Sequence, residues 1–167
     1  NSTIELQILG IKEETGITGI KDKALLLAAP YIPLDGIKDA GVACGIYMTY
    51  QGEPTTPTDQ NTDRPDITST TLLRLILDYA DNVEEAIALA SKYDMHDSVG
   101  TSYHYMVADK EGNSAILEWA GTTDDTDNDG SKREFKVTKN TPPYQVVTNF
   151  IVQPAYYPTL DEPKGTD

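Results

Sequence analysis

Few side chains in this sequence could act as a nucleophile or as its base. Cys44 is the only cysteine, and His96 and His104 are the only histidines. A thiolate beside a basic group can attack a carbonyl carbon and form a covalent intermediate. Cys44, however, falls on the bulky face of a predicted strand, where a free cysteine usually packs as a small hydrophobic residue. No recognisable spacing marks either histidine as its partner, so we expect packing or surface roles for all three.

An acidic run offers a candidate metal site. Asp125, Asp127 and Asp129 alternate along the chain and precede Gly130, which matches the opening of a calcium-binding loop. Lys136 stands where the complete loop has a bidentate glutamate. We therefore favour a solvated acidic loop, predict no cofactor and no metal, and keep calcium binding as the alternative.

Composition narrows the class of partner. The chain has 167 residues, with 27 acidic and 13 basic side chains, and a formal net charge of −14. Such a charge repels the phosphate backbone and anionic lipid, so nucleic acid and membrane partners are disfavoured. The longest apolar runs are too short to span a bilayer. One cysteine and no leader-like opening predict a cytoplasmic protein.

The strand predicted over residues 41–49 has two unlike faces. Alternation places Val42 and Cys44 on a bulky face and Ala43 and Gly45 on a face of small residues. Small residues on a strand leave room for another backbone or a ligand. Tyr47 is the one large side chain on this roomy face.

The remaining elements predict a layered α+β fold. Residues 2–8 alternate like a half-buried strand, and residues 52–65 have the composition of an exposed loop. Thr68 and Asn82 are placed to cap two amphipathic helices. Residues 101–109 and 114–119 flank a hairpin turn, and shorter strands are predicted at 135–138 and 144–149. Because neither side of the hairpin is strongly polar, we expect a sheet covered on both faces.

Several segments, in order, resemble one enzyme family. Residues 33–43, PLDGIKDAGVA, are similar to the stretch PLDGMNEKGLA of the choloylglycine hydrolase and penicillin V acylase family, although Lys38 replaces its usual asparagine. Residues 103–114 resemble the family's H-x-x-x-A-D-x-x-G-x-S hairpin, and residues 146–149 its V-x-T-N strand. The resemblance extends through residues 58–61, 64–68, 83–86 and 93–96.

The resemblance implies an N-terminal-nucleophile hydrolase, an αββα sandwich of two antiparallel sheets between helix layers. In this family a cysteine at the mature N-terminus attacks a linear amide, and its own α-amino group acts as the base. Asn149 and Tyr47 match family positions that bind substrate or form the oxyanion hole, Asn149 through its side chain and Tyr47 through its backbone amide.

The family's nucleophile has no counterpart in this sequence. We therefore expect residues 1–167 to be a single domain, the central part of a hydrolase domain truncated at both ends, and inactive alone. The expected partners are a small-molecule amide, the remainder of its own protein and further copies in a homo-oligomer. The substrate could be a bile-salt conjugate, penicillin V or another N-acyl amine. Two alternatives stay open: an acyltransferase of the same family, and a non-catalytic binding or structural domain.

Overall fold

The computed structural model describes residues 31–49, 58–60, 62–97, 102–121, 133–141, 144–149 and 151–152. Within these ranges the strands are β1 (Asp35–Ile37), β2 (Ala43–Met48), β3 (Asp66–Thr68), β4 (Asp94–His96), β5 (Tyr103–Ala108), β6 (Ser114–Gly121) and β7 (Arg133–Lys139). The helices are α1 (Ser69–Tyr79) and α2 (Val83–Ala90). The predicted strand at residues 2–8 and the acidic run from Asp125 to Asp129 lie outside the described residues.

The main sheet has five antiparallel strands in the order β1-β2-β5-β6-β7. The predicted hairpin is confirmed as β5 and β6. In the turn that joins them, Gly112 has φ of +85°, which glycine adopts without strain. The Asp109 side chain accepts hydrogen bonds from the backbone N–H groups of Glu111 and Asn113 at 3.0 and 3.1 Å, which fixes the shape of the turn.

One face of this sheet forms the core with the two helices. The register pairs Cys44 with Val107 and Tyr105 with Leu117, so these side chains share a face. The helices α1 and α2 cover it with apolar side chains at helical spacing. The core cluster includes Val42, Cys44, Leu72, Leu73, Ile76, Ala86, Tyr105, Val107, Leu117 and Trp119.

Both predicted helix starts are confirmed. Thr68 is the N-cap of α1, and its Oγ1 lies 2.7 Å from Thr71 Oγ1. Asn82 caps α2 by accepting a 2.9 Å hydrogen bond from the Glu85 backbone N–H. Asp109 adds a further acceptor, 3.2 Å from the Val83 backbone N–H. The hairpin turn and the first turn of α2 are thus joined through one carboxylate.

A buried arginine anchors the start of β7. Arg133 is 2% exposed, and its guanidinium donates to the hydroxyl groups of Thr58, at 3.2 Å, and Ser102. Its backbone carbonyl accepts from the Gln60 side chain at 2.5 Å. The segment at residues 58–60 is therefore fixed against β7 although it is far from it in sequence.

The structure corrects the interpretation of two short segments. Residues 145–149 form no strand, and only an isolated bridge between Thr141 and Tyr144 remains of the strand predicted at 144–149. β3 and β4 were not predicted; they pair in parallel as a separate two-stranded sheet. Both are three residues long, which is too short for a period-two pattern to stand out.

The α+β class is confirmed in incomplete form. The described residues supply one helix layer and one antiparallel sheet of the αββα sandwich. Among them, no helix combines the length and the apolar character needed to cross a bilayer. The longest, α1, has 11 residues.

Candidate functional site

The second face of the sheet carries a groove. Ala43, Gly45 and Tyr47 of β2 lie on this face and pair with Ala108, Met106 and His104 of β5. The groove beside them has a volume of about 340 Å³ and extends to β1. This volume lies within the range of small-molecule sites. The roomy face predicted from the sequence is thus open in the structure.

Tyr47 lies folded over Gly45 in this groove. Its phenol oxygen is 3.0 Å from the position that a β-carbon on Gly45 would occupy, so a larger residue there would require the ring to shift by a few tenths of an ångström. The ring also meets the edge of the His104 ring, with centroids 6.1 Å apart and planes at 85°. Tyr47 is 38% exposed, which leaves part of the phenol accessible to a ligand.

The backbone amide of Tyr47 is committed to the sheet. Thr49 N–H donates to the Ser102 carbonyl, and Tyr47 lies two residues before Thr49, opposite His104. Because hydrogen-bonded pairs recur at every second residue of an antiparallel ladder, the Tyr47 N–H faces the His104 carbonyl. The side chain, rather than the backbone amide expected from the sequence, is therefore the group of Tyr47 that can face a ligand.

The Asn149 side chain reaches the same strand. Its Nδ2 donates to the Met48 carbonyl at 2.9 Å, although the two residues are 101 positions apart in the chain. A side-chain amide nitrogen carries two hydrogens, so this contact leaves one for another acceptor. Asn149 is exposed to solvent. The sheet thus orients the Asn149 amide, while the second hydrogen on Nδ2 is not used in this contact.

A buried histidine and glutamate hold the segment that carries Asn149. His104 and Glu118 are 0% and 1% exposed, and His104 Nδ1 lies 2.9 Å from Glu118 Oε1. His104 Nε2 lies 2.6 Å from the Thr148 carbonyl, and Glu118 Oε1 accepts from the Val152 N–H at 2.8 Å. Because a carbonyl can only accept, Nε2 carries a hydrogen, and Nδ1 shares a proton with the carboxylate.

The structure therefore brings Tyr47 and Asn149 to one place. The Tyr47 ring contacts His104, His104 binds the residue before Asn149, and Asn149 binds the residue after Tyr47. The strand predicted at residues 144–149 would have placed Asn149 on a strand of the sheet. Instead, Asn149 lies in an irregular segment that crosses the sheet. The catalytic roles of the two residues stay predictions.

Cys44 lies on the opposite face, as predicted. It is 3% exposed within the helix-covered core, and burial raises the pKa of its thiol far above the ordinary value. A thiol that stays protonated is a poor nucleophile. Cys44 is therefore not the nucleophile of this site.

The histidines have more partners than the sequence suggested. His96 Nδ1 lies 2.6 Å from Asp59 Oδ1, and Nε2 lies 3.4 Å from Asp66 Oδ1. Sequence analysis also missed Glu118 as the partner of His104. The predicted hairpin contains the signal for this pair, since its register places the two residues directly opposite each other. The candidate metal ligands Asp125, Asp127 and Asp129 lie outside the described residues.

The helix-covered antiparallel sheet, with a groove and nearby polar side chains on its second face, defines an α+β protein. A sequence model of the acyl-coenzyme A:6-aminopenicillanic acid acyl-transferase family matches residues 33–154. The chain belongs to this family. The match confirms the resemblance to amide-cleaving acylases that was drawn from the sequence motifs.

Solved structures also resemble this chain. Penicillin V acylase from Agrobacterium tumefaciens aligns over 65% of this chain and 30% of its own, at 23% identity and a TM-score of 0.46. Two variants of the conjugated bile acid hydrolase from Clostridium perfringens align over 65% of this chain and 31% of theirs, at 17% and 18% identity and TM-scores of 0.48 and 0.49. The chain thus spans under a third of the length of these structures. No curated protein matches it.

Proposed function

We propose that this chain forms part of an enzyme that cleaves a linear amide C–N bond by transfer of its acyl group to a cysteine. The observation that supports the proposal is the hydrogen bond from the Asn149 amide to the carbonyl of Met48, the residue after Tyr47 in the strand that lines the groove, in a chain that belongs to an acyl-transferase family. Amide cleavage develops negative charge on the carbonyl oxygen, and a donor fixed in advance stabilises that charge.

In this proposal Asn149 donates its second amide hydrogen to the developing oxyanion. Its other donor stays bound to the Met48 carbonyl, so the group needs no reorganisation during the reaction. One such donor contributes on the order of 3 kcal/mol in comparable hydrolases. Tyr47 lines the groove with its phenol and orients the substrate.

The nucleophile in this proposal is a cysteine outside these 167 residues. Cys44 is the only cysteine in the sequence, and its thiol lies in the core on the other side of the sheet. An N-terminal cysteine with its own α-amino group as base would attack the amide carbon and release the amine. Residues 1–167 are then the central part of one hydrolase domain, as the sequence motifs predict.

The substrate class is a small N-acyl amine. A bile-salt conjugate and penicillin V are the candidates suggested by the names of the similar structures. Transfer to an amine in place of water is the second candidate reaction, favoured by the description of the matched family. The two differ only in which nucleophile accepts the acyl group. A cytoplasmic location and a homo-oligomer stay predictions.

An activity panel on the protein with its neighbouring coding sequence tests the proposal. Penicillin V, a glycine-conjugated bile acid and simple N-acyl amines are incubated with and without an added amine acceptor. We expect release of acid and amine from at least one of them, and none from residues 1–167 alone. An acylated acceptor among the products would identify transfer. A longer protein without a processed N-terminal cysteine would refute the proposal.

A further inference from the structure

A second cluster of chemically active side chains lies on the small parallel sheet, away from the residues assigned above. β3 and β4 pair in register, with Asp66 opposite Asp94 and Thr68 opposite His96. Side chains alternate along a strand, so Asp94 and His96 lie on one face, together with Asp66. The intervening Ile67 and Met95 face the core. The backbone itself therefore brings two carboxylates and an imidazole together.

The distances in this cluster are those between ligands of a metal ion. His96 Nε2 and Asp66 Oδ1 are 3.4 Å apart. Two ligands at about 2.1 Å from a tetrahedral Zn²⁺ ion are separated by about 3.4 Å. One atom from each of Asp66, Asp94 and His96 lies within 4.8 Å of the others. Small side-chain movements would complete three coordinate bonds.

The Asp94 carboxylate has an unused oxygen. The residue is 1% exposed, and its Oδ2 accepts a 2.6 Å hydrogen bond from the Thr62 N–H. Its Oδ1 is buried and, among the described residues, has no hydrogen-bond partner. A buried polar atom without a partner is destabilising, and more so when the group is charged. A cation bound by this carboxylate would remove that cost.

Asp59 orients His96 for such an ion. Its Oδ1 lies 2.6 Å from His96 Nδ1, which places a hydrogen on Nδ1 and directs Nε2 toward Asp66. A carboxylate that holds the far nitrogen of a metal-binding histidine is the usual arrangement in metalloproteins. If His96 Nε2 also carried a proton, it could donate a hydrogen bond to Asp66, but the buried Oδ1 of Asp94 would still lack a partner among the described residues. A metal ion could bind all three groups.

We propose that Asp66, Asp94 and His96 bind a divalent transition-metal ion, with Zn²⁺ the best fit, and that Asp59 orients the histidine. The mixture of imidazole and carboxylate ligands suits Zn²⁺, whereas Ca²⁺ takes six to eight oxygen ligands and Mg²⁺ keeps several waters. Three protein ligands leave the fourth position to water. The ion would join β3 to β4 and stabilise the folded protein, since the unfolded chain holds no such arrangement.

Zinc titration of the purified protein tests this site. After dialysis against a chelator, calorimetry with zinc chloride should show one ion bound per chain and thermal unfolding should shift upward by several degrees. His96→Gln and Asp66→Asn should each weaken binding at least about 100-fold. Asp59→Asn should weaken it by about 10- to 100-fold, as expected when the group that orients a ligand is lost. These positions are exposed or half-buried, so the variants should fold, and circular dichroism checks this.

Matched controls separate this site from other acidic groups. Asp63→Asn removes an exposed carboxylate from the same segment. Asp125→Asn removes a carboxylate of the acidic run. Neither should change zinc affinity. Cobalt in place of zinc should give visible absorption that is lost in His96→Gln. Absence of binding, zinc binding that persists in His96→Gln and Asp66→Asn, or tighter binding of calcium than of zinc would each overturn the proposal.

Discussion

Glu118 and His104 form a buried pair across the β5–β6 hairpin, with 2.9 Å between the carboxylate oxygen and the ring nitrogen. The same two side chains bind Thr148 and Val152, on either side of Asn149. The pair therefore positions the segment that carries the proposed oxyanion donor.

Glu118→Gln should destabilise the protein. Its amide oxygen could still accept from His104 Nδ1 and the Val152 N–H, but its NH2 group would be buried where Glu118 Oε2 has no hydrogen-bond partner among the described residues. A buried polar group without a partner costs about 1–3 kcal/mol, and we expect the free energy of unfolding to fall by about that amount. Urea unfolding measures this. Glu134→Gln, in the adjacent strand but exposed, should change stability by less than about 0.5 kcal/mol. Equal effects in the two variants would contradict the buried-pair assignment.

Asn149→Ala should lower turnover without affecting the fold. In the enzyme that includes the nucleophile, loss of one oxyanion donor reduces kcat by about 100- to 1000-fold. The hydrogen bond to Met48 is exposed, so the melting temperature should stay nearly constant. Val146→Ala, at an exposed position of the same segment, should leave both quantities unchanged. An unaltered kcat in Asn149→Ala would rule out the proposed role.

Gly45→Ala should move the Tyr47 ring. The new methyl group would lie 3.0 Å from the phenol oxygen, so the ring must shift by a few tenths of an ångström, which alters its contact with His104. We expect altered NMR shifts of the His104 ring protons and a raised KM. In a Tyr47→Leu background the same substitution should have little effect, since no ring remains to be displaced. Equal effects in both backgrounds would show that Gly45 acts on something other than Tyr47.

The stabilisation provided by Asp109 should depend on pH. Burial raises the pKa of its carboxyl group, but hydrogen bonds from Asn113, Val83 and Glu111 outweigh this and lower it overall. A lowered pKa in the folded state means that the stabilisation is present above the unfolded-state pKa and is lost as pH falls through the folded-state value. Asp109→Asn replaces one acceptor oxygen of this carboxylate by an NH2 group, so it should cost about 1 kcal/mol at neutral pH, typical of one lost hydrogen bond.

The decisive measurement is the difference in stability between Asp109→Asn and the unmodified protein as a function of pH. The stabilities of Asp109→Asn and the unmodified protein should converge in acid, below the pKa of Asp109. Asp39→Asn, at an exposed position, serves as the control and should follow the unmodified protein throughout. A difference between Asp109→Asn and the unmodified protein that is constant from neutral to acid pH would exclude the charge as its origin.

The sequence predicted the parts of the fold whose local chemistry is strong. Caps at Thr68 and Asn82, the hairpin around Gly112 and the two faces of β2 depend on neighbouring residues, so short-range patterns reveal them. The burial of Cys44 followed from the same alternation.

The sequence did not predict contacts between distant segments. Asp66 and His96 converge because two three-residue strands pair in parallel, and Asp59 reaches His96 through an isolated antiparallel bridge. No local pattern encodes either pairing. Asn149 belongs to an irregular segment whose position depends on His104 and Glu118 rather than on strand periodicity. Family motifs identified Asn149, whereas spacing alone gave it no role.

The anchoring of Arg133 bears on the order of folding. Its contacts with Gln60 and Thr58 join residues 73 and 75 positions apart, whereas His104 and Glu118 are separated by only 14. The entropic cost of loop closure grows with the length of the loop, so the β5–β6 and β6–β7 pairings should form early and residues 58–60 should dock late against Arg133. Pulsed hydrogen–deuterium exchange should show amides of β5 protected before that of Gln60, and the reverse order would contradict this. Until that docking occurs, the Arg133 guanidinium at the start of β7 would lack Thr58 as a partner, so completion of this corner of the sheet would be a late step of folding.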